Sequence, residues 1–287
     1  MSASTGSFST LEQVRHSLVG LKMPRALEIL DATVRGLEQG ELSSLDAMAL
    51  LLQEEFTMRE NRRVKMALMT SRLTPVKTIE QYDFSFQPSV DRNQILTLAQ
   101  LGFVERKEMV HFLGPPGTGK SHLAIALGVE AVKAGKSVYL ATLAEIIASL
   151  LKAEREGTLQ GRIRFLSRTA LLIIDEVGYL PLERGGAQLF FQLINARYEK
   201  GAIILTSNRG FAEWGEIFGD RVIATALLDR LLHHAVVIQI DGNSYRLREH
   251  AALMPENLKT PTSNQDKKAA RPRGRPPKPR STDKRLM

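Results

Sequence analysis

The run Gly114-Pro115-Pro116-Gly117-Thr118-Gly119-Lys120-Ser121-His122 sets glycines, a lysine and a hydroxyl at the spacing of a phosphate-binding loop. A short apolar stretch, Met109 to Leu113, precedes it, and an apolar run through Val132 follows, so the loop joins a strand to a helix. Glycines let the backbone curl until successive N–H groups face phosphate oxygens, and the amino end of the helix adds its positive pole. Lys120 is then placed to reach the β- and γ-phosphates, and the Ser121 hydroxyl to ligate Mg²⁺. The expected nucleotide-binding set is Gly114 through His122 together with Asp175.

A cradle alone hydrolyses nothing. The stretch ALLIIDE supplies the second half: four apolar residues bury a strand and leave Asp175 and Glu176 at its carboxyl end. There Asp175 can hold Mg²⁺ through water, and Glu176 can polarise an attacking water. A third strand, AIILTSN, ends in Asn208, whose amide could orient that water against the γ-phosphate. The chain lacks an Asn-Lys-x-Asp guanine-reading sequence, which points to adenine and hence to ATP with Mg²⁺ as the cofactors.

The elements that must position these residues follow from periodicity. From Met109 onward, short apolar strands (MVHFL, SVYLAT, ALLIID, AIILTS, VVIQI) alternate with stretches long enough for crossover helices. That pattern predicts an α/β fold with a parallel five-stranded sheet over residues 109–254. Ahead of it, residues 1–74 read as a small helical domain that binds DNA or a partner. Ser9 with Glu12, and Ser43 with Asp46, form capping-box patterns before apolar-periodic runs. No glycine or proline interrupts residues 43–74, so the second run predicts one long helix ended by Pro75. Residues 75–108 read as a linker with a docking segment, and residues 255–287 as a disordered basic tail.

Charge is distributed unevenly. The chain of 287 residues carries a net +8, and between Lys259 and Met287 ten Lys or Arg stand against two Asp, so the tail holds the whole excess. Cysteine is absent, which excludes disulfides and thiolate metal sites and fits a reducing cytoplasm. No secretory leader and no apolar run of membrane-spanning length is present, so no membrane partner is expected.

Taken together, the GPPGTGKS loop, LLIIDE, the Asn208 strand and the later Asp229-Arg230-Leu231 resemble an AAA+ ATPase of the initiator and helicase-loader group. Further stretches are similar to the IstB family, the ATP-dependent helpers of insertion-sequence transposition. They are LEQVRHSLVGLKMPRALEIL, QEEFTMRENRRVKMALMTSRL, YDFSFQPSVDR, IDEVGYLPL and LLDRLLHHAVVIQIDGNSYRLRE. The resemblance implies a homo-oligomer with ATP at subunit interfaces, in which an arginine of one subunit completes the neighbour's site. Arg230 matches that position, and Arg221 is the alternative. It implies duplex DNA and the transposase of the same insertion sequence as partners, and a minimal or absent lid, so no sensor role passes to Arg246 or Arg248. A replicative-helicase loader is the alternative function.

Two basic segments bear on DNA. Arg271 to Lys278 looks like an AT-hook, with Arg273 and Arg275 able to enter a narrow minor groove and Gly274 allowing close approach. The plainer reading is a solvated basic tail. On the long helix, Arg59, Arg62, Arg63 and Lys65 form a candidate DNA contact, or else a solvated face with pairs such as Glu55 to Arg59 and Glu60 near Arg63.

Overall fold

The computed structural model describes residues 9–179, 182 and 185–248. Five strands, β1 (Met109–Leu113), β2 (Val138–Thr142), β3 (Leu171–Val177), β4 (Ala202–Ser207) and β5 (Ala235–Gln239), form one sheet in the order β2-β3-β4-β1-β5. Every pairing is parallel, as the near-continuous apolar strands require when both faces are covered. Side chains alternate between those faces. Leu171 and Ile173 of β3, with Ala202 and Ile204 of β4, face one core, whereas Leu172 and Ile174, with Ile203 and Leu205, face the other.

Eleven α-helices are described. Three precede the sheet: α1 (Thr10–Gly20), α2 (Pro24–Glu38) and α3 (Ser44–Thr70). Next come α4 (Arg92–Ala99) and α5 (Gly102–Glu105), and α6 (Lys120–Lys133) follows β1. The second core is covered by α7 (Leu143–Arg155), α8 (Leu159–Arg168), α9 (Gly186–Arg197), α10 (Trp214–Phe218) and α11 (Arg221–Leu232).

Both expected capping boxes are present, Ser9 with Glu12 on α1 and Ser43 with Asp46 on α3. The start of α2 has no side-chain cap of its own. Instead the buried Glu55 of α3 accepts from the backbone N–H groups of Arg25 (2.9 Å) and Ala26 (3.3 Å), and its other oxygen takes Arg59 Nε at 2.8 Å. A neighbouring helix thus satisfies the amino end of α2.

The long helix ends earlier than its breaker-free sequence predicts. It stops at Thr70, because Arg72 takes a left-handed φ of 63° and turns its guanidinium to Glu145 at 2.6 Å. Pro75 lies beyond this stop. Along its length α3 joins two cores: Leu51 packs with Leu18, Ala26 and Leu30, and Val64, Ala67 and Leu68 pack against the sheet-side cluster.

Arg197, at the end of α9, is fully buried and has no carboxylate partner among the described residues. Its guanidinium donates to the carbonyls of Leu166 (2.6 Å), Thr169 (3.1 Å) and Ala202 (2.6 Å), tying the end of α8 to the start of β4. Burial pushes its pKa down to about 10. Arg197→Ala leaves those carbonyls unpaired beside a void, and a loss of about 3–5 kcal/mol in chemical denaturation is expected. A loss within 1 kcal/mol would show that water replaces the guanidinium at little cost.

Candidate active site

The loop after β1 curls as its glycines require. Gly117 has φ 81° and Gly119 φ 93°, and a Cβ would lie 2.0 Å from Ser244 Oγ at the first and 2.5 Å from the Tyr82 ring at the second. Neither position tolerates a side chain, for reasons of conformation and of space. Thr118 and Lys120 are buried, and the Lys120 ammonium donates to Pro115 O at 2.6 Å.

A cleft of about 640 Å³ opens over this loop. Its floor is Gly117 to His122, one wall carries Asp175 and Glu176, and the others come from residues 75–87 and from Tyr245 and Arg246. Gly114, Pro115 and Pro116 of the expected binding set shape the loop without lining the cleft. His122 lines it and donates Nε2–H to Thr78 O at 2.8 Å, and burial lowers its pKa. Tyr82, with its hydroxyl pushed up to about 12 by burial, donates to Thr118 O at 3.1 Å and so pins the loop from outside.

The two halves of the expected site meet here. Ser121 Oγ donates to Asp175 Oδ1 at 2.8 Å. Thr206 of β4, which the sequence did not single out, donates its hydroxyl to the same carboxylate oxygen and accepts the N–H of Glu176 at 3.1 Å. The register between β3 and β4 shifts between Ile174 and Val177, so Asp175 and Glu176 together oppose Thr206. Glu176 has φ 61° at this bulge and is exposed at the cleft wall. Bulges commonly re-aim a side chain beside an active site, and this one turns Glu176 out of the strand.

Asn208 follows β4 but does not line the cleft, and its Oδ1 is buried without a partner among the described residues. Arg230 and Arg221 also lie outside the lining. Arg230 Nε donates to Asn195 Oδ1 at 3.0 Å, with its guanidinium 5.2 Å from the Phe191 ring centre. By contrast Arg246, to which the resemblance gave no role, does line the cleft. The segment carrying it returns from β5 across the loop: Tyr245 N–H donates to Gly117 O at 2.9 Å, and Gln87 Nε2 to Asn243 O at 2.7 Å. The signal for this strap was the NSYRLRE run, which a phosphate loop alone does not explain.

Of the candidate DNA contacts, Arg59 is engaged by Glu55 and by Lys22 O (2.7 Å), and Arg63 by Glu60 (2.9 Å). Arg62 and Lys65 are exposed. Arg273, Gly274 and Arg275 lie outside the described residues. Among the described residues no cluster suits a metal through His, Asp and Glu alone, and no helix is long and apolar enough to cross a membrane.

The family model for the IstB-like ATP binding protein matches residues 17–252. The chain belongs to this family. A relative from Pseudomonas aeruginosa, the ATP-binding protein of insertion sequence IS21, is 49% identical over 86% of this chain and 93% of its own length. The corresponding protein of insertion sequence IS5376 from Geobacillus stearothermophilus is 42% identical over 83% of this chain and 95% of its own. Among solved structures, the DnaC helicase loader aligns with TM-score 0.48 at 20% identity, covering 59% of this chain and 99% of that one. Membership of the IstB-like family makes this an ATP-binding chain, and the parallel sheet with its glycine-rich loop after β1 is a P-loop core.

Two measurements test the site of this IstB-like protein. Thr206→Val removes the hydroxyl that holds Asp175 and the Glu176 amide; ATP turnover should fall about 10–100-fold while ATP affinity stays within a few-fold. Equal losses in both would make Thr206 a general folding determinant instead. Burial pushes Lys120 down to about 8, with Asp175 opposing and Arg246 reinforcing. The free site therefore loses its lysine charge as pH rises through 8. ATP affinity should be flat below that pH and fall by about tenfold per unit above it, whereas Lys120→Arg, charged throughout, should remove the slope. A flat wild-type profile to pH 9 would mean that Lys120 stays charged in the free protein.

Proposed function

We propose that this chain is an ATP-dependent, DNA-binding transposition helper. It binds ATP with Mg²⁺ in the cleft, hydrolyses the nucleotide, and self-assembles on duplex DNA, where it remodels the target and engages the transposase of its insertion sequence. The observation that carries the reading is the meeting of Ser121, Asp175 and Glu176 over the loop of Lys120.

The paired oxygens of Ser121 and Asp175 are hard donors of the kind Mg²⁺ takes, so the residues fit the ion. When bound, it would neutralise charge on the β- and γ-phosphates. Lys120 meets phosphate charge directly and Glu176 accepts the proton of the attacking water, whereas Asn208, outside the cleft lining, takes no direct part. Among the described residues Arg246 is the one arginine lining the cleft, whereas Arg230 lies outside the lining, against Phe191 and Asn195 of α9. This placement supports Arg230 acting on a neighbouring copy, which makes assembly a condition of turnover. The relatives' association with insertion sequences supports the transposase as partner, and the basic tail supports duplex DNA.

Arg230→Ala should retain ATP binding and lose turnover by about 10³-fold, the scale of a trans arginine. Mixing it with Glu176→Gln, whose own site is inactive but whose Arg230 is intact, should recover part of the activity. Wild-type turnover by Arg230→Ala alone would reject the role and move attention to Arg221. For the DNA function, particle size and duplex binding should rise together with a non-hydrolysable ATP analogue. Nucleotide-indifferent duplex binding, with preference for single strands, would favour a helicase loader.

A further inference from the structure

We propose that the exposed face of α8 is a second nucleic-acid site, which grips backbone phosphates of duplex DNA at the end of the sheet remote from the ATP cleft. The inference rests on the duplex-binding reading above and adds the surface that performs it.

Three observations carry it. First, Arg164 and Arg168 are exposed, stand one helical turn apart, and make no hydrogen bond or ion pair among the described residues. Eight of the other seventeen described arginines are spent on carboxylates: Arg15 on Asp31, Arg25 on Glu28 and Glu54, Arg59 on Glu55, Arg63 on Glu60, Arg72 on Glu145, Arg106 on Glu108, Arg209 on Glu213 and Arg248 on Asp83. An arginine without a carboxylate keeps its full donor fork for an external phosphate. Second, these two arginines flank a shallow cleft of about 340 Å³, closed by Ser137, Gly161, Phe165 and Thr169. Gly161 leaves the helix surface bare where a phosphate would seat. Phe165 is 49% exposed and lies against Arg162, whose guanidinium is 5.2 Å from its ring centre, and the ring offers an apolar plate to a deoxyribose. Third, the platform is rigid. Arg197 holds the carbonyls of Leu166 and Thr169, and Arg162 is fixed by Tyr139 Oη at 3.2 Å and Ser149 Oγ at 3.2 Å.

The acidic side chains near this face belong to the end of α7 and the turn after it, where Glu156 lies 3.8 Å from Lys152. They border the adjoining cleft, lined by Arg162 and Phe165, and not the one between Arg164 and Arg168. Ser137 and Thr169 precede β2 and β3, whereas the phosphate loop follows β1. In a parallel sheet those are opposite ends, so nucleotide and DNA do not compete for one surface.

The test is the salt dependence of binding by the full chain to a mixed-sequence duplex with a non-hydrolysable ATP analogue. The double variant Arg164→Gln/Arg168→Gln should bind ATP as wild type does, bind duplex several-fold more weakly, and lower the slope of log K against log salt by about two. Restoring the charges as Arg164→Lys/Arg168→Lys should restore most of that slope. A wild-type slope in the glutamine variant overturns the surface while leaving the proposed function intact. Absence of duplex binding by the wild type overturns that function and this surface with it. If the double variant fails to bind ATP, each single glutamine variant decides in its place: a slope lowered by about one supports the surface, and an unchanged slope rejects it.

Discussion

The carboxyl end of β4 is the constraint on which the site depends. This strand lies between β3, which carries the acidic pair, and β1, which carries the phosphate loop. Thr206 and Ser207 are both buried there. Thr206 holds Asp175 and the Glu176 amide on one side, and Ser207 O accepts the N–H of Gly114 at 3.1 Å on the other. Ser207 Oγ reaches Val177 O at 2.9 Å, closing the bulge from its far end. Two short side chains and one carbonyl thus fix the separation between a cradle and its acids. A larger residue at either position would have to displace one of the two neighbouring strands.

The sheet was legible in the sequence because its strands are buried on both faces, and runs such as Leu171 to Ile174 have no other stable disposition. The caps were legible because Ser9 and Ser43 act on residues three positions away. What escaped reading is non-local or concerns backbone conformation. Glu55 caps a helix thirty residues earlier, and nothing within its own helix announces that. The left-handed φ at Arg72 and Glu176 runs against residue preference, and only tertiary partners, Glu145 for one and Thr206 for the other, stabilise it. Arg246 reached the cleft through a strap whose register is set by Gln87 and Gly117, both far away in sequence.

Electrostatics divides the chain into a body of balanced charge, with many of its arginines in ion pairs, and a basic tail. An exposed pair such as Arg63 with Glu60 contributes little stability, yet it removes a cation from the pool available to a polyanion. Counting charge along α3 therefore overstates its attraction for DNA, since Arg59 and Arg63 are taken and Arg62 and Lys65 remain. On α8 the same accounting leaves Arg164 and Arg168 without a carboxylate among the described residues. Position relative to acids, more than net charge, decides where a phosphate can bind.

The loop itself shows how a site for anions is built from neutral groups. Its carbonyls are held by defined donors: Pro115 O by Thr118 Oγ1 and Lys120 Nζ within the loop, Gly117 O by Tyr245 N–H, and Thr118 O by Tyr82 Oη. Across a trans peptide the C=O and N–H point in opposite directions, so each held carbonyl fixes the direction of the amide in its plane. Tyr82 and Tyr245 come from segments before and after the sheet core, and both satisfy loop acceptors beside the cleft. Lys120 is the one donor of this set that must let go. Its bond to Pro115 O keeps an ammonium satisfied in a partly buried setting that disfavours charge, and a phosphate offers the same ammonium a full negative partner. Exchange of a carbonyl for a phosphate oxygen would therefore raise the lysine's proton affinity.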